Sequence, residues 1–115
     1  IKSANKVSSL IKKSKRPIIL VGSAIYKNKK NVQLIKKISK KFLVPISPAW
    51  TAVDIMSSND RFCAERSGPV GSRAGNFIVD KADLLLVLGS RVPIRQASYN
   101  FNQFAKNAKK TTLVF

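Results

Sequence analysis

Two short runs in this chain contain only aliphatic side chains, and each stops at a glycine. They are Ile18-Ile19-Leu20-Val21 before Gly22 and Leu84-Leu85-Leu86-Val87-Leu88 before Gly89. Runs of this length without polar alternation are what strands buried on both faces require, as in a parallel sheet covered by helices. Parallel strands need crossover connections, and the intervening sequence supplies helical periodicity. Ala4, Val7, Leu10 and Ile11 recur at helical spacing over residues 3–14, with Lys2, Lys6 and Lys13 opposite. Residues 31–42 repeat the pattern, with Leu34, Ile35, Ile38 and Phe42 as the apolar stripe. Val44–Ser47 predicts a second strand, started or weakened by Pro45. A short helix is expected over 72–82 and a last helix over 98–108, with Phe101, Phe104, Ala105 and Ala108 on one face. Thr111–Phe115 closes the order as a strand. This alternation predicts an α/β fold, a parallel sheet with helices on both faces. At 115 residues the chain is one domain, residues 1–115. The absence of an initiating Met and the apolar ending Leu113-Val114-Phe115 suggest a piece of a longer protein.

Composition excludes several chemistries. The chain has no His and a single cysteine, Cys63, so histidine acid–base catalysis, ordinary zinc sites and an intramolecular disulfide have no residues to build on. Cys63 without a His partner reads as an incidental or buried thiol. Trp50 could stack on a planar ligand, but a core or interface aromatic is the commoner fate. No apolar run approaches the ~20 residues of a membrane span, so no membrane partner is expected. The formal charge of +17 raises nucleic acid as a partner. The lysines, however, decorate outer helix faces and are not interleaved with aromatic stacking platforms. They read as a solvated surface, and no nucleic-acid partner is expected.

The five glycines are placed more tellingly. Gly22 and Gly89 follow strands, and Gly68, Gly71 and Gly75 lie in a loop that leads into a helix. Arg73 sits within that loop, and Arg91 and Arg95 follow Gly89. In open α/β sheets ligands bind outside the carboxyl ends of the strands. Glycine loops and helix starts offer backbone N–H groups to anions. Neither G-x-G-x-x-G nor G-x-x-x-x-G-K-[ST] occurs, so the ordinary dinucleotide and P-loop motifs are absent. Simple turn and cap roles for these glycines remain the alternative.

The segment Gly71-Ser72-Arg73-Ala74-Gly75-Asn76-Phe77, followed by Ala82-Asp83-Leu84-Leu85-Leu86-Val87-Leu88-Gly89-Ser90-Arg91 and Ile94-Arg95-Gln96, resembles the central domain of thiamine-diphosphate-dependent enzymes. It is most similar to the acetolactate synthase-like branch. The resemblance runs over nearly the whole chain and includes the Arg16-Pro17 entry into the first strand, the Val44-Pro45 strand and the ending Ser98-Tyr99-Asn100. It implies a Rossmann-like, three-layer α/β/α domain of the NAD/FAD-binding type, truncated at its C-terminal end. The parent would be a thiamine-diphosphate- and Mg²⁺-dependent carboligase or decarboxylase acting on pyruvate or a related 2-keto acid, cytoplasmic and homo-oligomeric. N- and C-terminal domains of the same chain would hold the thiamine diphosphate, and this domain would be non-catalytic. FAD, where present in the family, is structural. The cofactor-contacting regions carried over are Gly22, Ser23 and Ala24, then Val70, Gly71 and Ser72, then Gly89, Ser90, Arg91 and Arg95. Two departures stand out: Gly22-Ser23-Ala24 where FAD-binding members often have three glycines, and Val92-Pro93-Ile94 where synthases tend to have acidic residues. No Gly-Asp-Gly motif for diphosphate-bound Mg²⁺ occurs. Asp83 falls where the family pattern makes it structural. A stand-alone nucleotide-binding module of similar fold and a basic nucleic-acid-binding domain are the alternatives.

Overall fold

The computed structural model describes residues 2–113. The elements alternate as expected: α1 (Lys2–Lys13), β1 (Pro17–Val21), α2 (Lys29–Phe42), β2 (Ile46–Pro48), α3 (Arg73–Lys81), β3 (Leu84–Leu88) and β4 (Lys109–Leu113). Short 3₁₀ segments, Ser23–Lys27 and Trp50–Ile55, follow β1 and β2. The four strands are parallel in the order β2-β1-β3-β4. The two aliphatic runs therefore sit side by side at the centre, Ile18 opposite Leu85 and Val21 opposite Leu88.

Alternation along these strands divides the core. Ile19, Val21, Leu84, Leu86 and Leu88 face α1 and α2 through Ile11 and Ile35. Ile18, Leu20, Leu85 and Val87 face α3 through Val79, with Ala82 and Ala105 beside it. β2 begins one residue past Pro45, whose carbonyl accepts from Ile19 N at 3.0 Å. The outer side of β2 is partly covered by Phe62–Ala64, with Ile46 N donating to Phe62 O at 2.7 Å. Cys63 is half-buried there and packs on the core.

The expected helix over 98–108 does not form. Residues 94–99 and 101–107 are turns, and Ser98, Tyr99 and Ala105 have φ of 51°, 61° and 45°. Most of the hydrogen bonds are short-range turns, such as Asn100 N to Ala97 O and Ala108 N to Ala105 O. Ser98, Asn100, Asn102 and Asn107 are weak helix formers, so the stretch lacks the propensity to support its apolar spacing. Ala105 is still buried against the sheet, whereas Phe101 is exposed. The final strand starts earlier than expected, at Lys109, and Val114 and Phe115 lie outside the described residues. The stripe of α2 also divides: Ile35 and Ser39 are buried and Phe42 is half-buried, while Leu34 and Ile38 are exposed.

The amino end of the central pair is stapled by Asp83. Its carboxylate accepts from Lys15 N at 2.7 Å and Arg16 N at 2.9 Å, while Arg16 Nε donates to Lys81 O at 2.7 Å. Burial alone would raise the Asp83 pKa, but the two amide bonds and the Arg16 charge outweigh it and hold the carboxyl below its ordinary value. A depressed folded pKa contributes stability that is complete above the ordinary value and fades as pH falls through the folded one. Asp83→Asn is expected to cost about 1 kcal/mol at neutral pH, solvent screening included. That deficit should shrink as the pH drops below 3.8. Urea denaturation at several pH values checks this, and a pH-independent deficit would count against the ionic part.

α2 ends at Leu43, which adopts φ 54°, ψ 41° in the left-handed region and is largely exposed. A Cβ there is strained, and glycine is the usual occupant. Leu43→Gly is expected to stabilise the fold by up to about 1 kcal/mol, net of the entropy glycine adds to the unfolded chain. A lower denaturation midpoint for the variant would contradict the assignment of strain.

Candidate functional site

The sheet order places the direction change between β1 and β3, so the crevice where ligands commonly bind lies above Gly22 and Gly89. The three candidate regions all come to this carboxyl edge. Gly22 N donates to Leu88 O at 2.8 Å, and Ala24 N to Gly89 O at 3.2 Å. A Cβ on Gly22 would fall inside contact distance of Gly89 O and of Ser90 Cα and Cβ. The glycine at 22 is thus required by the chain itself, because the two strand exits lie directly against each other. Gly89 has φ 66°, which turns the chain away over Ile25.

The glycine loop behaves likewise, although Arg73 and Gly75, expected within it, lie in the first turn of α3 because Ser72 starts the helix. Cβ atoms on Gly71 and Gly75 would both collide with Arg66 O. Ser72 caps α3: its Oγ accepts from Gly75 N at 2.8 Å and its own N–H donates to Arg66 O at 3.0 Å. Gly71 N donates to Gly68 O at 3.0 Å. Asn76 braces the loop from the helix, Oδ1 accepting from Gly68 N at 2.8 Å and Nδ2 donating to Gly68 O at 3.0 Å. Asn76 is thus a structural, loop-bracing residue of this edge.

A second brace was not foreseen from sequence. Gln96 is buried, and its Nε2 donates to Ser67 Oγ at 2.7 Å and Ser67 O at 3.0 Å. Trp50 Nε1 donates to the same carbonyl at 3.2 Å. These bonds tie the glycine loop to the segment leaving β3, so Val70–Ser72 and Arg91–Arg95 share one edge. A glutamine followed by alanine gives no periodic signal of burial, which is why this pair was missed. Tyr26 and Asp54 link the two 3₁₀ segments, Tyr26 OH donating to Asp54 Oδ1 at 2.6 Å. Burial, then the Asp54 bond and charge, push the phenol up to about 12.

A dinucleotide such as FAD meets a mixed fit here. The backbone N–H groups of Gly22, Ala24, Gly71 and Ser72 are all used within the chain, and the glycine positions leave no cradle that a ligand would fill. Ser90 Oγ accepts from Val92 N at 3.1 Å and holds its own turn. What stays open to a phosphate is Arg91 and Arg95, both exposed beyond β3, with exposed Ser23 across the crevice. Val70 is exposed and apolar. A cavity of about 240 Å³ beside the loop is lined by Ser72, Arg66, Glu65, Cys63, Met56 and Val53, among others. Among the described residues no group of three or more His, Cys, Asp or Glu side chains could hold a metal ion. No described helix is long and apolar enough to cross a membrane.

Fold and edge together define an open, Rossmann-like α/β domain, its strand exits closed on each other and arginines left at the rim. The chain belongs to the thiamine pyrophosphate enzyme central-domain family, which it matches over residues 4–114. It is similar to the acetolactate synthase catalytic subunit, mitochondrial, of Saccharomyces cerevisiae, 26% identical over 110 residues, covering 96% of this chain and 16% of that protein. The mitochondrial acetolactate synthase of Schizosaccharomyces pombe is 27% identical over 105 residues, 91% of this chain and 16% of that protein. The acetolactate synthase isozyme 1 large subunit of Escherichia coli is 28% identical over 107 residues, 93% of this chain and 18% of that protein. The chain therefore spans less than a fifth of the length of these relatives.

The packing at Gly22 yields a direct expectation. Gly22 has φ −107°, which any residue tolerates, so Gly22→Ala acts only through contact with Gly89 and Ser90. It should cost at least about 2 kcal/mol, while Ser23→Ala, at an exposed position, stays within about 0.5 kcal/mol. Equal denaturation midpoints for Gly22→Ala and the parent would show that the strand exits separate freely.

Proposed function

We propose that residues 1–115 are the central, non-catalytic domain of a thiamine-diphosphate-dependent carboligase or decarboxylase of the acetolactate synthase kind. Its substrate is pyruvate or a related 2-keto acid. The observation that carries this reading is the segment Ala82–Arg91. It forms the central strand β3 and delivers Arg91 exposed at the carboxyl edge, within a family match that covers almost the whole chain. In this reading flanking domains of the same chain hold thiamine diphosphate and Mg²⁺, and the parent is a cytoplasmic homo-oligomer. The two fungal relatives are described as mitochondrial.

FAD, in the same reading, is a structural ligand of this domain. The free guanidinium groups of Arg91 and Arg95 would hold its phosphates, with Ser23 and Val70 at the rim of the site. The closed contacts of Gly22, Ala24, Gly71, Ser72, Gly89 and Ser90 would shape the crevice floor.

Purified full-length protein is expected to release CO₂ from pyruvate only when thiamine diphosphate and Mg²⁺ are supplied, and residues 1–115 alone should not. Arg91→Ala with Arg95→Ala should weaken flavin binding at least about tenfold, because charge-assisted bonds to phosphate are lost. Flavin titration followed by fluorescence quenching measures this independently of turnover. Absence of thiamine-dependent turnover with every 2-keto acid tried would refute the enzyme assignment. Unchanged flavin affinity in the double variant would refute the arginine role.

A further inference from the structure

The first carboxylate in the chain is Asp54, and twelve lysines and Arg16 precede it. α1 and α2 together carry ten of these lysines and no acidic residue. Both helices pack on the same side of the sheet. Among the described residues the ion pair that forms is Lys81 with Asp80 at 3.5 Å on α3, so none engages the lysines of α1 and α2.

The basic side also carries an aliphatic ridge. Leu34 is 54% exposed and Ile38 38% exposed, one helical turn apart on α2. At ~100° per residue, Lys30, Lys37 and Lys41 fall within about 60° of Leu34 on its solvent side. The ridge thus has the buried face of α2 on one flank and a row of ammonium groups on the other.

This combination selects among polyanions. Single-stranded nucleic acid is gripped by phosphate contacts together with stacking aromatics, and α1 and α2 expose no aromatic side chain, while a duplex held through its phosphates would leave Leu34 and Ile38 without an apolar partner. An interfacial helix buries a broad apolar face in lipid, but the broader face of α2, with Val32, Ile35 and Phe42, is turned to the sheet. An acidic amphipathic helix satisfies both features. Its apolar residues at i and i+4 match the spacing of Leu34 and Ile38, and flanking carboxylates match the lysine row. We propose that the α1–α2 face docks an acidic amphipathic helix presented by another polypeptide, with Leu34 and Ile38 taking its apolar anchors.

The test uses full-length protein and a fluorescent probe peptide of about 18 residues with leucines at helical i, i+4 and i+7 spacing among glutamates. Its control is the same composition in shuffled order. Anisotropy is expected to show micromolar binding that weakens with added salt, with the shuffled peptide at least about tenfold weaker. Leu34→Asp and Ile38→Asp lie at exposed positions, so each should weaken binding about tenfold with little change in the thermal midpoint. Lys37→Glu is expected to weaken binding and flatten the salt dependence. Equal binding of the shuffled peptide, or full affinity in Leu34→Asp, would overturn the proposal. So would tighter binding to a single-stranded oligonucleotide or to phosphatidylserine vesicles than to the probe.

Discussion

The pairing of β1 with β3 is the constraint on which the rest of the domain depends. Five residues of each strand align without a polar side chain between them, so the pair is stable only if both faces are covered. That demand recruits α1 and α2 to one face and α3 with the 94–108 turns to the other. Each end of the pair is closed by a different device. At the amino end a carboxylate gathers the two amides that lead into β1. At the carboxyl end two glycines let the exits touch. An ionic staple suits the wet end of the sheet, and backbone contact suits the end where side chains would hold the loops apart.

The glycines therefore have a meaning their spacing did not disclose. Their lack of Cβ atoms serves close approach of chain to chain: Gly22 to Gly89 and Ser90, Gly71 and Gly75 to Arg66. The edge is firm before any ligand arrives, since Asn76 braces the glycine loop from α3, Trp50 ties it to the segment after β2, and Gln96 ties it to the exit of β3. The arginines beyond β3 are the groups left outward, and in the proposed reading these side chains, rather than the backbone, would hold a cofactor.

Periodicity misled in two places, for different reasons. Over 98–108 the apolar spacing is helical, but the serine and asparagines between the apolar residues are weak helix formers, and the chain breaks into turns. On α2 the stripe has the right spacing but is wider than the sheet can cover. Ser39 turns inward, its Oγ donating to Val44 O at 2.6 Å, and Leu34 and Ile38 are left in solvent. Periodicity reports which residues share a face of a helix. It does not report how much of that face a neighbour will reach.

By itself the sequence determined the strands, the three regular helices, the parallel order of construction and the family. Those follow from local properties: aliphatic runs, 3.6-residue spacing, and the Ala82–Arg91 motif. Tertiary structure alone decided that the candidate glycines would face one another, that Gln96 and Ser67 would be buried together, and that an aliphatic ridge would stay exposed among lysines. Each of these depends on how closely segments distant in sequence approach in space. That distance is set by packing across the whole sheet, and no short window of residues encodes it.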